Sequence, residues 1–212
     1  MATASQSLFN MTVASDNAGG NQGLLMPKLQ FRFRVNFLNF GVDAAGGLQL
    51  TKQVVDVSRP NLSFAEIPLQ VYNSTIKLAG KHTWADLTCN VRDDASGSVS
   101  KAVGQQLQKQ MDFVEQASAA TGQDYKFQMN IEVLDGGNGT AAPVVLETWE
   151  LYGCFLKTAN YNNLNYGTNE AATIGLTIAY DNAIQSPLAS GVGATIGRIL
   201  SGDSATGIGA GT

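Results

Sequence analysis

An α+β fold, mainly β, is what this sequence predicts, and three features carry that reading. Leu29, Phe31, Phe33, Val35 and Phe37 alternate with Gln30, Arg32, Arg34 and Asn36. Tyr125, Phe127, Met129, Ile131 and Val133 alternate in the same way with Lys126, Gln128, Asn130 and Glu132. Strict period two means a strand with one buried and one polar face. Between these segments Val99, Val103, Leu107, Met111 and Val114 draw one apolar stripe at helical spacing. Half-polar strands around a single internal helix predict an antiparallel β-barrel or sandwich with one flanking helix.

Taken in order, residues 1–27 are rich in Ser, Ala, Asn and Gly, and Asp16-Asn17 and Gly19-Gly20 would punctuate any regular element, so an extended arm is expected. The first strand follows, and Gly41 to Gly47 reads as a turn. Leu48 to Val57 is expected as a second strand, stopped by Arg59-Pro60-Asn61 because proline removes a ladder donor. Residues 58–68 read as a loop carrying Leu62, Phe64 and Ile67. A third strand is expected over Leu69–Leu78, a turn at Ala79-Gly80-Lys81, and a fourth strand over Trp84–Val91 with Leu87, Cys89 and Val91 on one face. Asp94 or Ser96 is placed to cap the helix. Gly104 costs that helix about 1 kcal/mol against Ala.

After the fifth strand, Asp135-Gly136-Gly137-Asn138-Gly139 is a strong turn signal. A sixth strand is expected over Val144–Leu156, an Asn- and Tyr-rich loop over Ala159–Thr168, and a seventh strand over Ala172–Tyr180 with Ile174, Leu176, Ile178 and Tyr180 on one face. From Ser186 the tail is Gly-rich, with Ser186-Pro187 as a cap and weak helical spacing at Leu188, Val192, Ile196 and Ile199. The expected organisation is an N-terminal arm over 1–27, one β-domain over 28–184 and a C-terminal arm over 185–212.

Charged residues are only 14 % of the 212, against roughly a quarter in ordinary globular proteins. Gln, Asn, Ser, Thr and Gly must then cover the surface, as suits a chain that buries itself against copies of itself. The net charge of −4 argues against a basic nucleic-acid binder and is compatible with a passage that DNA crosses without sticking. Cys89 and Cys154 lack CxxC spacing and form neither a disulfide framework nor a zinc site. They read as buried free thiols, with a cross-link between subunits as the alternative. The start of the chain lacks the basic and apolar pattern of a secretory signal, and no segment has the roughly 18 apolar residues of a membrane span. Assembly in the cytoplasm, with no membrane anchor, is expected.

Enzymatic readings fail for lack of partners. His82 is the one histidine and sits beside Lys81 with no companion base or ligand. Asp93-Asp94 reads as a strand end and helix cap rather than a metal site. Glu147 and Glu150 fall on opposite faces of a strand. The glycine runs lack the Lys-Ser or Lys-Thr of a phosphate loop and the βαβ setting of a dinucleotide fold. No cofactor is implied.

Three places in the chain resemble the tail-tube proteins of contractile-tailed bacteriophages. They are Arg59-Pro60 with Ile67-Pro68; Ile76-Lys77-Leu78-Ala79-Gly80 with Thr83-Trp84-Ala85-Asp86-Leu87-Thr88; and Asn169-Glu170 with Thr173-Ile174-Gly175-Leu176-Thr177-Ile178-Ala179-Tyr180-Asp181. With the intervening helix the resemblance covers about residues 28–184. It implies a structural virion protein whose copies form hexameric rings with a continuous inner β-barrel. The rings stack into the tail tube, the conduit for DNA, inside a contractile sheath. The partners implied are further copies of the chain, the sheath protein, baseplate and tail-terminator proteins, and DNA in transient, non-specific passage. Arg59, Pro60, Leu62, Phe64, Ile67, Pro68 and Tyr72 are then expected at the contact between rings or subunits. Gln128, Asn130, Thr173 and Thr177 become candidates to line the lumen. Arg32 and Arg34 are expected to face a neighbouring subunit or the sheath. The alternatives are the inner tube of a bacteriocin, extracellular injection system or type VI secretion system, and a soluble small-ligand-binding β-barrel.

Overall fold

The computed structural model describes residues 28–42, 44–135 and 143–186. The N-terminal arm, the tip of the Asp135–Gly139 turn and the expected C-terminal helix lie outside the described residues. Among these described residues, eleven strands and three helices occur in the order β1 (Phe33–Leu38), α1 (Ala44–Gln53), β2 (Val54–Val57), β3 (Leu62–Val71), β4 (Ser74–Trp84), β5 (Leu87–Arg92), α2 (Ser98–Gln110), β6 (Met111–Asp112), β7 (Ala117–Ser118), α3 (Gly122–Tyr125), β8 (Phe127–Leu134), β9 (Val145–Asn160), β10 (Thr173–Ala179) and β11 (Asn182–Ser186). The body is a six-stranded antiparallel path β1-β8-β9-β10-β5-β2, with β11 paired to β9 as a seventh strand.

β9 is 16 residues long and serves two sheets. Its first half lies between β8 and β11; its second half pairs with β10. The change occurs at Gly153, where Phe127 pairs with Cys154 but Met129 with Leu151, leaving one extra β9 residue. Gly153 has φ 67°, and a Cβ there would lie 2.1 Å from Asp181 Oδ2. Only glycine fits a left-handed residue this close to a neighbour.

The alternating residues fill the space between the sheets as expected. Val35, Phe37, Leu87, Cys89, Val91, Phe127, Met129, Ile131, Ile174, Leu176 and Ile178 are all buried. Phe40 joins them, its ring edge-on to Phe37 at 5.4 Å and to Phe127 at 5.0 Å. α2 adds Val99, Ala102 and Val103.

Five expectations need correction. Leu48–Val57 is not one strand: α1 runs to Gln53, and only Val54–Val57 is extended. Gly47 allows α1 to press on β1, since a Cβ there would sit 2.5 Å from the Phe37 carbonyl oxygen. The helix is therefore flanked by a second one. Leu62–Pro68 of the expected loop and Leu69–Val71 of the expected third strand form one continuous β3, and the rest of that expected strand opens β4 after the Tyr72-Asn73 turn. Ala79-Gly80-Lys81 is no turn but a bulge in β4, where Phe64 pairs with His82 and Glu66 with Ala79. Leu29 and Phe31 precede β1, and Phe31 is exposed.

Candidate assembly surface: the β3–β4 hairpin

β3 and β4 pair only with each other among the described residues. Their register sorts the side chains cleanly. Ile67 faces Leu78, Leu69 faces Ile76 and Val71 faces Ser74 on one side of the ribbon; Glu66 faces Ala79, Pro68 faces Lys77 and Gln70 faces Thr75 on the other. The polar side is internally bonded: Lys77 Nζ lies 2.9 Å from Glu66 Oε1, and Thr75 Oγ1 donates to Gln70 Oε1 at 2.8 Å. The apolar side is uncovered. Ile67, Leu69, Val71, Ile76 and Leu78 are each 45–49 % exposed. Scattered surface aliphatics are ordinary, but a contiguous stripe on a free ribbon marks an interaction surface. A lone two-stranded hairpin is also marginal in water.

The tip and the base differ. Tyr72, in the two-residue turn, has φ 48° and a fully exposed ring. An aromatic residue in the left-handed region costs about 1–2 kcal/mol with no contact to offset it. At the base, rings step inward from Phe64 to His82 (6.3 Å), Trp84 (6.4 Å) and Tyr180 (5.7 Å). Arg59 and Pro60 lie in the extended link before β3. That link is pinned where Ser58 N donates to Thr88 O and Ala85 N donates to Asn61 O, each at 2.9 Å.

Of the seven expected interface residues, Leu62, Phe64, Ile67 and Pro68 lie on β3, Tyr72 is at the hairpin tip, and Arg59 and Pro60 are in the link before the hairpin; those on β3 do not share one face. Ile67 is on the apolar side and Pro68 on the polar side. Leu69, Val71, Ile76 and Leu78 belong to the same surface and were missed. Their signal was period two on both sides of Tyr72-Asn73, hidden by reading the first half as loop. Pro68 argued for a loop, but an edge strand tolerates it. The four lumen candidates separate: Gln128 and Asn130 are on β8, Thr173 and Thr177 on β10, in different sheets.

Chemical groups elsewhere are engaged structurally. Among the described residues no group of three or more His, Cys, Asp or Glu is arranged to hold a metal. Asp94 accepts from Ser96, from Ser98 Oγ at 2.6 Å and from Val99 N at 3.2 Å, and these bonds hold its carboxyl down at about 2; the N-cap position itself is taken by Gly97 and not by Asp94 or Ser96. Burial pushes both the Cys89 and the Cys154 thiols up to about 12, with Asp56 adding to the effect at Cys89. No helix among the described residues is long and apolar enough to cross a membrane.

No family model matches the sequence, and no curated protein matches it. Solved structures do. A chain of the PVC sheath–tube complex, an extracellular contractile injection system in the extended state, matches with TM-score 0.54 at 15 % identity over 77 % of this chain and 93 % of that one. A chain of the anti-feeding prophage tube-terminating cap matches with TM-score 0.55 at 13 % identity over 81 % and 99 %. A chain of the anti-feeding prophage baseplate, solved with 6-fold symmetry, matches with TM-score 0.53 at 16 % identity over 76 % and 97 %. The chain shares the fold of these three solved chains. At these identities the likeness is one of fold, and it agrees with the mainly antiparallel β class read from the sequence.

Proposed function

We propose that this chain is the tube subunit of a contractile tail-like machine. Copies join into hexameric rings, and the rings stack into a hollow tube inside a contractile sheath, between a baseplate and a terminator. The observation that carries this reading is the uncovered apolar side of the β3–β4 hairpin, on a fold shared with contractile-system components. A second copy of the chain is the occupant this ribbon fits. Burying the remaining half of five aliphatic side chains contributes about 1 kcal/mol each, roughly 5 kcal/mol per contact, and a heterologous contact of that kind propagates into rings or filaments. The sequence resemblance favours a phage tail with DNA as cargo. The fold neighbours favour an injection system. Recovering the protein in DNA-filled particles supports the first setting.

Negative-stain electron microscopy of the purified full-length chain tests the proposal. Rings or tubes with a central channel are expected. The triple variant Ile67→Thr, Leu69→Thr, Ile76→Thr keeps strand-forming residues and is expected to stay folded and monomeric. A wild-type chain that stays monomeric at high concentration sinks the tube reading. Tubes from the triple variant at the wild-type threshold remove the hairpin from the contact.

A further inference from the structure

The solvent sides of the two sheets differ in chemistry, and a tube needs its walls to differ in that way. On the sheet formed by β2, β5, β10 and the second half of β9, the side chains that point away from the core form two rows. Thr88 pairs with Thr177 and Thr177 with Thr158; Asn90 pairs with Gly175 and Gly175 with Asn160. Gly175 leaves room for its neighbour, since a Cβ there would meet Asn90 Oδ1 at 3.2 Å. Asp56 and Arg92 carry opposite charges on this side, and Asp56 accepts from Asn90 Nδ2 at 2.9 Å. Lys157, in the β9 bulge, is paired with Asp86. Phe155 lies at the margin, edge-on to Tyr125 at 6.3 Å.

The sheet formed by β1, β8, the first half of β9 and β11 presents another surface. Polar residues such as Asn36, Asn130 and Thr148 stand on it too, but among them are Leu38, Tyr152, Ile184 and Arg34, whose Nε donates to Glu132 Oε2 at 2.7 Å. Aliphatic, aromatic and Arg side chains are what covered interfaces select.

Resting on the tube reading, we propose that the Thr- and Asn-bearing side of the β2–β5–β10–β9 sheet is the wall of the passage, and that the Arg34 side of the other sheet faces away from it. A wall must stay wet and must not hold what slides past. Short hydroxyl and carboxamide side chains are solvated without a protein partner. They provide neither the aromatic platforms nor the excess positive charge with which proteins grip a nucleic-acid strand. Of the lumen candidates, Thr173 and Thr177 are thereby assigned to the wall, and Gln128 and Asn130 are not.

Thiol labelling of assembled tubes tests this. Cys89 and Cys154 are buried with raised pKa values and form a silent background. Thr88→Cys is labelled before and after assembly with a small maleimide and with a bulky polyethylene-glycol maleimide. The expected result is labelling by both reagents in free subunits, and in tubes loss of labelling by the bulky reagent alone. Gln128→Cys, which is exposed in the subunit, should not show that selective loss. Labelling of Thr88→Cys by the bulky reagent in tubes as in subunits overturns the assignment, because the face is then outside. Loss of the small reagent too overturns it, because the face is then packed on a neighbour. Thr177→Cys, one strand over, serves if Thr88→Cys does not assemble. Absence of tubes from the wild-type chain, seen by microscopy, counts instead against the tube reading itself.

Discussion

Glu147 is the one acidic side chain buried among the described residues, and replacing it gives a sharp test of how the domain is closed at one end. Its Oε2 pairs with Lys28 Nζ, while its Oε1 accepts from Trp149 Nε1 at 2.6 Å and from Gln185 Nε2 at 2.9 Å. Burial alone raises the pKa of this carboxyl, but the bonds from Lys28 and Trp149 and the charge of Lys28 outweigh it and hold the group below its ordinary 4.5. The unfolded chain therefore takes up the proton first as pH falls. The stabilisation is complete above about 4.5 and is lost as pH drops through the folded-state pKa. Glu147→Gln keeps one acceptor oxygen for Trp149 and Gln185 and turns an amide donor toward the Lys28 ammonium. Losing one charge-assisted bond and weakening two should cost about 2 kcal/mol at neutral pH. Glu147→Ala also strands the Trp149 indole N–H and should cost about 3–4 kcal/mol. Urea denaturation at about pH 7 and about pH 3 reads both values. The gap between Glu147→Gln and wild type should narrow at the lower pH, as protonation of the wild-type carboxylate removes the charge that distinguishes them. A gap that does not change with pH would refute the charge-based account.

Other predictions concern single positions. Gly153→Ala forces a Cβ onto Asp181 in a left-handed backbone, and should cost about 2–3 kcal/mol in denaturant melts, from strain plus the weakened Lys126–Asp181 pair. Gly104→Ala should do the reverse: a Cβ there meets nothing within 4 Å, so the gain should be about 1 kcal/mol, seen as a higher denaturation midpoint. Tyr72→Gly relieves the left-handed aromatic and should leave the folded subunit about 1 kcal/mol more stable. The same change should raise the concentration at which rings form, measured by sedimentation velocity.

What the sequence made legible was whatever period alone decides. The strands at Phe33–Leu38, Leu87–Arg92, Phe127–Leu134 and Thr173–Ala179 alternate strictly, because one side meets the core and the other meets water. α1 was misread because Leu48 and Leu50 mimic alternation just before the β-branched Val54 and Val55. The helical stripe was read through apolar residues alone, and so ran on to Met111 and Val114, where the chain has already left the helix. Its true continuation is polar. Gln106 is fully buried, accepting from Gly41 N at 2.9 Å and donating to Tyr125 O at 2.6 Å. Gln110 does the same for Leu156, with 2.9 Å bonds to both its N–H and its carbonyl. A carboxamide carries one donor and one acceptor side, so it replaces a missing strand partner; hydropathy scores it as surface. The hairpin was half seen for a related reason. Its alternation is intact, but its apolar side is uncovered within the subunit, so no residue of the domain core announces it.

A free ribbon with an apolar side would ordinarily invite open-ended sheet growth, and the way this one avoids it bears on how copies meet. Growth through the edges of β3 and β4 needs regular, unbroken backbone on the outer side. β3 carries Pro68, which has no amide proton to give. β4 is bulged next to Gly80, which lies so close to β3 that a Cβ would sit 3.0 Å from Ala65 O. Glu66 and Lys77 add charge on the polar side. These features weaken edge-to-edge pairing but leave the five aliphatic side chains untouched. Pairing through the edge is thus opposed, and the apolar face is left open. Face docking fixes both the register and the angle of the partner, which a stack of identical rings requires and an extending sheet does not. A Pro68→Val variant separates the two modes. It restores the missing donor, and should shift the products seen by electron microscopy from tubes toward irregular aggregates; tubes of unchanged form would show that the edge was never in competition.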